Sequence, residues 1–160
     1  MKNLKTIAIY CGSFNPFHIG HLNIVEKAER IFGKGNVIIC FGVNPDKVDP
    51  SKRAEYVKSV GEKCHELETK LGRQVEVYNG FLHDFITELE KEGNNVVLIR
   101  GLRNGDDLDY EVNQMRFIND FKKNVNVVYI TCDKEFEHIS SSAIRKISEF
   151  GGDVNQYLVK

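Results

Sequence analysis

The chain has 160 residues, 41% hydrophobic and 28% charged, a size and composition that suit a folded domain with a buried core and exclude a disordered one. Its formal net charge of −1 gives no overall basic footprint for nucleic acid, and no run of about 18 apolar residues is present to span a membrane. Met1-Lys2-Asn3-Leu4-Lys5 lacks a signal-peptide core, and Cys11, Cys40, Cys64 and Cys132 are scattered with no CxxC spacing, so buried reduced thiols, no zinc site and a cytoplasmic location are expected.

In chain order, the apolar run Thr6–Cys11 predicts a first strand. It empties into Gly12-Ser13-Phe14-Asn15-Pro16-Phe17-His18-Ile19-Gly20-His21 and then a helical stripe of Leu22, Val25, Ala28 and Phe32. A second strand, Asn36–Phe41, leads to Asn44-Pro45-Asp46-Lys47. The stripe Ala54, Val57, Val60, Cys64, Leu67 and Leu71 follows, with Asp49 expected as the cap and Pro50 at the first helical position. Strand Gln74–Tyr78 precedes Gly80-Phe81-Leu82 and a helix carrying Leu82, Phe85, Ile86 and Leu89, stopped near Gly93. Strand Val96–Arg100 runs into Gly101-Leu102-Arg103 and a helix with Leu108, Val112, Met115 and Ile118. Strand Asn126–Thr131 leads through Asp133-Lys134-Glu135-Phe136 to Ser140-Ser141-Ser142 and a helix with Ala143, Ile144 and Ile147, ended by Gly151-Gly152. Asp153–Lys160 reads as one more short helix. Short Val- and Ile-rich strands alternating with helices predict one domain over residues 1–160: a Rossmann-like, doubly wound sheet of five parallel strands with helices on both faces.

In such sheets ligands lie beyond the carboxyl ends of the strands, and the polar residues of this chain gather there. The Gly-rich turn before a helix is a ready anion site, with Gly12 permitting a tight turn, Ser13 offering a hydroxyl, and His18 and His21 on one side of the first turn. Arg100 and Arg103 either meet a phosphate or pair with Asp106, Asp107, Asp109 or Glu111. Lys47 is either a second phosphate contact or a solvated surface lysine, and the three serines either bind an anion or cap a helix. There is no G-x-x-x-x-G-K-[ST], no G-x-G-x-x-G after the first strand and no G-x-S-x-G, which excludes a P-loop, a dinucleotide fingerprint and a hydrolase elbow. Histidines, lysine, arginines and a helix N-terminus suit positioning and electrostatic stabilisation of nucleotidyl transfer, in which a phosphate attacks the α-phosphate of a nucleoside triphosphate in line.

The stretch Gly12–His21 resembles the signature of the nucleotidyltransferases with the HIGH motif, and in detail leans toward nicotinate mononucleotide adenylyltransferases. The remaining blocks resemble bacterial phosphopantetheine adenylyltransferase. These are Gly80-Phe81-Leu82-His83-Asp84-Phe85, Arg100-Gly101-Leu102-Arg103 with Asp107-Leu108-Asp109-Tyr110-Glu111, Ile139-Ser140-Ser141-Ser142, and Gly151-Gly152-Asp153-Val154, so that the likeness runs from Ile7 to Tyr157. The resemblance implies ATP and 4′-phosphopantetheine as substrates, dephospho-coenzyme A and pyrophosphate as products, Mg²⁺ carried mainly by ATP phosphates with no protein metal site, feedback binding of coenzyme A, and a hexamer. By motif position it implies His21 as the transition-state group and Lys47 as a second catalytic residue. Ser13, Phe14, His18, His21, Gly101, Leu102, Arg103 and Glu111 would hold ATP, with Phe136, Glu137, His138, Ile139, Ser140, Ser141 and Ser142. Ser13, Lys47, Leu82 and Arg100 would hold the acceptor.

The chain departs from the family's GTFDP loop, with Ser13 for Thr and Asn15 for Asp. His18 stands where the family often has Thr, and the sequence given ends without the usual Val-Pro and final helix. Two rivals stand beside the first reading: a nicotinate or nicotinamide mononucleotide adenylyltransferase, favoured by the first loop and Ser140–Arg145, and a non-catalytic nucleotide-binding sensor.

Overall fold

The computed structural model describes residues 4–160; Met1, Lys2 and Asn3, on which part of the N-terminal expectation rests, lie outside the described residues. Five strands, β1 (Lys5–Gly12), β2 (Val37–Val43), β3 (Val75–Asn79), β4 (Asn94–Leu102) and β5 (Asn126–Thr131), pair in parallel in the order β3-β2-β1-β4-β5. Helices α1 (Ile19–Phe32), α2 (Arg53–Leu71), α3 (Leu82–Lys91), α4 (Gly105–Phe121) and α5 (Ser141–Glu149) alternate with them.

Strand periodicity sorts the core into two layers. Ala8 and Tyr10 of β1, with Val37, Ile39 and Phe41 of β2, pack against Ile24, Val25 and Ala28 of α1 and Cys64 and Leu67 of α2. Ile7, Ile9 and Cys11, with Ile38 and Cys40, face Ile86 and Leu89 of α3 and Met115 of α4. Helices therefore cover both faces, as expected. Burial on both faces holds for β1, β2 and β4; the edge strands β3 and β5 hold mostly half-buried and exposed residues, with Ile130 of β5 buried.

Several boundaries differ from the sequence expectation. Strand β4 runs two residues beyond Arg100, because Arg100, Gly101 and Leu102 stay in register with Tyr129, Ile130 and Thr131 of β5. Arg100 is thus inside the strand rather than at its end. Pro50 opens a separate 3₁₀ turn, Pro50–Lys52, before α2, and the Asp49 side chain makes no capping bond. The tail holds only a 3₁₀ turn, Asn155–Tyr157, after which Leu158 pairs antiparallel with His18. That pairing draws the end of the tail onto the first βα loop. All four cysteines are free; Cys11, Cys40 and Cys64 are buried and Cys132 half-buried.

Candidate active site

The strand order reverses between β1 and β4, each leaving the sheet in the same direction, and the crevice at such a point is where open α/β sheets take ligands. Two cavities lie there. One, of about 230 Å³, is lined by residues of α1, the end of β4 and the start of α5, among them His18, His21, Gly101, Arg103, Phe136 and Ser140. The other, of about 260 Å³, is lined by Gly12, Ser13, Phe14, Arg100 and Glu111. Tyr10, His21, Gly101 and Ser141 stand on the walls of both.

The start of α1 is built by its own histidines. His18 is the N-cap in extended backbone, and its Nδ1 accepts from the amides of Gly20 (3.1 Å) and His21 (3.4 Å). The amide of His18 in turn donates to Nδ1 of His21 at 3.1 Å, a capping box made of two imidazoles. This corrects the expectation of bare helix amides waiting for an anion: two are satisfied by His18. Nor do the histidines bring positive charge to the electrostatic stabilisation expected of them. Burial, followed by the nearby Arg103 charge, lowers His18 to about 4, and burial followed by His18 holds His21 well below its usual value. Each ring is neutral near pH 7. Because Nδ1 accepts, the network assigns the single proton to Nε2, leaving each histidine one donor.

Phe14 has φ 44°, a left-handed backbone conformation uncommon for a non-glycine residue. Its ring is buried edge-on against His21 (centroids 4.9 Å apart) and touches Tyr10, Phe17 and Phe41. Phe14 thus backs the His21 ring as well as lining the second cavity. The loop is held from far along the chain. Ser141 donates its hydroxyl to the Pro16 carbonyl at 2.9 Å, and Arg145 donates to the Asn15 carbonyl.

The arginines take the ion pairs weighed above. Arg100 Nε lies 3.2 Å from Glu111 Oε2, each side chain 19% exposed. The pair is close but misaligned, so both atoms are buried without a hydrogen-bond partner. Arg103 grips Asp107 through Nε (3.0 Å) and Nη2 (3.1 Å). Burial alone would raise the Asp107 carboxyl, but the Arg103 bonds outweigh it and hold it low. Ser140 is the N-cap of α5, accepting from Ala143 N–H at 3.1 Å, which is the capping alternative.

The structure therefore brings together Ser13, Phe14, His18, His21, Arg100, Gly101, Leu102, Arg103, Glu111, Phe136, Ile139, Ser140 and Ser141. Lys47, exposed in the 3₁₀ turn Pro45–Lys47, and Leu82, at the first turn of α3, line neither cavity. Glu137, His138 and Ser142 also stand outside them. Residues given no ligand-binding role from sequence complete the walls of the first cavity: Tyr10, Gly20, Ile24, Asp107 and Cys132. Strand alternation would have placed Tyr10 on the α1 side of the sheet, but not at the cavity. Behind the wall, buried Asn23 exchanges two 2.9 Å bonds with Asp133, which Lys27 meets at 2.7 Å, tying α1 to the segment after β5. Among the described residues no three His, Cys, Asp or Glu side chains are grouped to hold a metal ion, and no helix is long and apolar enough to cross a membrane.

A parallel sheet with a histidine-capped helix and two cavities sharing four wall residues at its switch point has the layout of a nucleotide-binding α/β protein, and comparison with known proteins places it among the nucleotidyltransferases. Residues 9–147 match the cytidylyltransferase-like family model. A phosphopantetheine adenylyltransferase of Clostridium botulinum strain Hall is 33% identical over 152 residues, covering 93% of this chain and 85% of the relative. That of strain Eklund 17B is 32% identical over 159 residues, covering 96% and 91%. A solved Vibrio parahaemolyticus structure with a provisional nicotinate-nucleotide adenylyltransferase assignment shares the fold, with a TM-score of 0.63, 16% identity, and coverage of 98% of this chain and 88% of that one. The chain belongs to the phosphopantetheine adenylyltransferase family, within the cytidylyltransferase-like nucleotidyltransferases.

Proposed function

We propose that the chain, as a single nucleotidyltransferase domain over residues 1–160, transfers AMP from ATP to 4′-phosphopantetheine, giving dephospho-coenzyme A and pyrophosphate. The observation that carries this reading is the pair of cavities that meet at His21, because a transfer between two phosphates needs both substrates in line at one point. ATP occupies the cavity with Arg103, Phe136, Ile139, Ser140 and Ser141; the acceptor phosphate lies beside Ser13 and Arg100. The acceptor oxygen attacks the α-phosphorus, and the bond to the bridging oxygen of pyrophosphate breaks. A phosphate whose second pKa is about 6 needs no general base near neutral pH. Neutral His21 supplies an Nε2–H donor to the charge that develops, fixed in direction by its Nδ1 bond to the His18 amide.

Lys47, in the turn after β2, and Leu82, at the start of α3 after β3, belong to this reading as residues that meet the pantetheine arm where it extends beyond the second cavity. Glu111, in contact with Arg100, and Glu137, His138 and Ser142, beside the start of α5, complete the proposed ligand sphere. Mg²⁺ accompanies ATP. Asp107 is held by Arg103 and Glu111 sits against Arg100, so phosphate oxygens and water supply most of its ligands. A cytoplasmic location fits the four free cysteines. Coenzyme A, which shares its nucleotide half with the product, competes for the same cleft. Self-association, up to the hexamer, is supported by the exposed aromatic side chains Tyr110, Phe117 and Phe121 of α4, the last stacked on exposed Phe81.

The test is pyrophosphate release with ATP and a panel of acceptors. Turnover with 4′-phosphopantetheine and none with nicotinate or nicotinamide mononucleotide is the expected result. The reverse pattern moves the protein to the mononucleotide class, and ATP binding with no turnover on any acceptor makes it a sensor.

A further inference from the structure

One polar group on the wall shared by the two cavities makes no hydrogen bond among the described residues. Tyr10, on β1, is only 6% exposed, and its side chain lines both cavities. Its ring is fixed by Phe14 (centroids 5.1 Å apart) and lies 6.2 Å from the His21 ring. Its hydroxyl sits over Gly101, where an added Cβ would lie 3.2 Å from the phenolic oxygen. Among the described residues no hydrogen bond reaches that hydroxyl, and the fully buried unpartnered side-chain atoms are Arg100 Nε and Glu111 Oε2, so the hydroxyl opens onto the cavities rather than being sealed in the core. The ring is buried while the hydroxyl stays at the cavity wall, the arrangement of an aromatic whose polar tip is left to a partner outside the core. A hydroxyl left free at the junction of two ligand cavities has its partner in the ligand.

We propose that Tyr10 is a further catalytic residue of this site, its hydroxyl donating a hydrogen bond to an oxygen of the phosphoryl group that passes between the cavities. The inference rests on the nucleotidyl-transfer reading. In that step the new bond runs from acceptor oxygen to α-phosphorus, and the bond to the bridging oxygen breaks, its electron pair leaving with pyrophosphate. Tyr10 keeps its proton throughout. Burial raises the phenol above its ordinary range, with Arg100 opposing and Glu111 and Cys132 adding to the rise, so it stays a donor at every working pH. Tyr10 and His21 then approach the reacting group from β1 and α1, two rigid elements, as electrostatic stabilisation requires.

Tyr10→Phe tests this, because it keeps the ring and its contacts and removes only the oxygen. The expected result is a loss in kcat on the order of 100-fold, the scale of one donor to a developing charge, with an unchanged melting temperature. In parallel, the ring-carbon resonance of isotope-labelled Tyr10, assigned by its absence from Y10F, should shift when ATP is added. A kcat within about twofold of the parent overturns the proposal, and so does a resonance that stays still when ATP saturates the protein. A parent protein that transfers AMP to no acceptor counts against the reaction reading alone. The Tyr10 contact is then decided by its resonance, which shifts if the hydroxyl meets the nucleotide.

Discussion

His18 and His21 hold each other in place. Their rings stack with centroids 3.6 Å apart and planes 25° from parallel, while the backbone amide of His18 donates to Nδ1 of His21 at 3.1 Å. The pair closes the N-terminus of α1 and fixes the tautomer of both rings in one arrangement. The same contact that ends a backbone defect thus aims the donor proposed to act on the phosphoryl group.

Replacing His21 by Ala removes that donor and half of the capping box. The expected outcome is a fall in kcat of about 100- to 1,000-fold with ATP still bound. A stability loss of about 1 kcal/mol accompanies it from the vacated cap. Steady-state kinetics and urea melts measure the two effects separately. Turnover at the parent rate would remove His21 from the chemistry.

The histidines make stability depend on pH with a definite sign. Each has a folded-state value below the unfolded one of about 6.5, so below that pH the unfolded chain binds more protons than the folded chain. Stability is therefore full above about pH 6.5 and falls as pH drops toward 4, the value for His18. His18→Asn keeps an N-cap acceptor but cannot titrate, so its urea midpoint should decline less between pH 7 and pH 5 than the parent's. Parallel declines would show that His18 is not the titrating group.

Glu111→Gln leaves Arg100 half-buried without its counter-charge. The apo protein should lose about 1–3 kcal/mol, as expected when one partner of a buried polar contact is removed. An anionic ligand restores the missing charge. Saturating phosphopantetheine should therefore raise the melting temperature of the variant by more than it raises that of the parent. An equal rise in both would place the acceptor phosphate away from Arg100.

Ser141→Ala cuts the 2.9 Å bond from α5 to the Pro16 carbonyl. It should cost roughly 0.5–1.5 kcal/mol, the net worth of one hydrogen bond, and lower kcat several-fold by loosening the loop that leads into His18 and the first turn of α1, which carries His21. Thermal melts and initial rates on the same preparation read both. A variant with lowered stability and full turnover would confine Ser141 to a structural role.

Gly101→Ala places a Cβ 3.0 Å from Ile24 Cγ1 and 3.2 Å from the Tyr10 hydroxyl, on the wall shared by both cavities. The close approach should cost about 1–3 kcal/mol and narrow the passage where the substrates meet, cutting kcat/KM for both. Unchanged kcat/KM would mean that the passage is wider than the shared wall implies.

What this chain's sequence determines by itself is the alternation of strand and helix, and with it the edge of the sheet where Gly12–His21, Arg100–Arg103 and Ser140–Ser142 collect. Those features are local: apolar runs of strand length, helical stripes, and loops that topology sends to one side. The block motifs carry the family for the same reason, since each is contiguous. Spacing could not decide between paired and free arginines, or between capping and anion-binding serines, because the partners are chosen in three dimensions. Only the tertiary structure decides that Arg100 lies within β4 against Glu111, since β5 extends the strand beyond it. It alone makes His18 and His21 neutral, because burial sets their protonation, and it alone sets Tyr10 on the wall shared by both cavities. The loop's supports, Ser141 on Pro16 and Leu158 beside His18, join residues more than a hundred positions apart, a contact that no local pattern encodes.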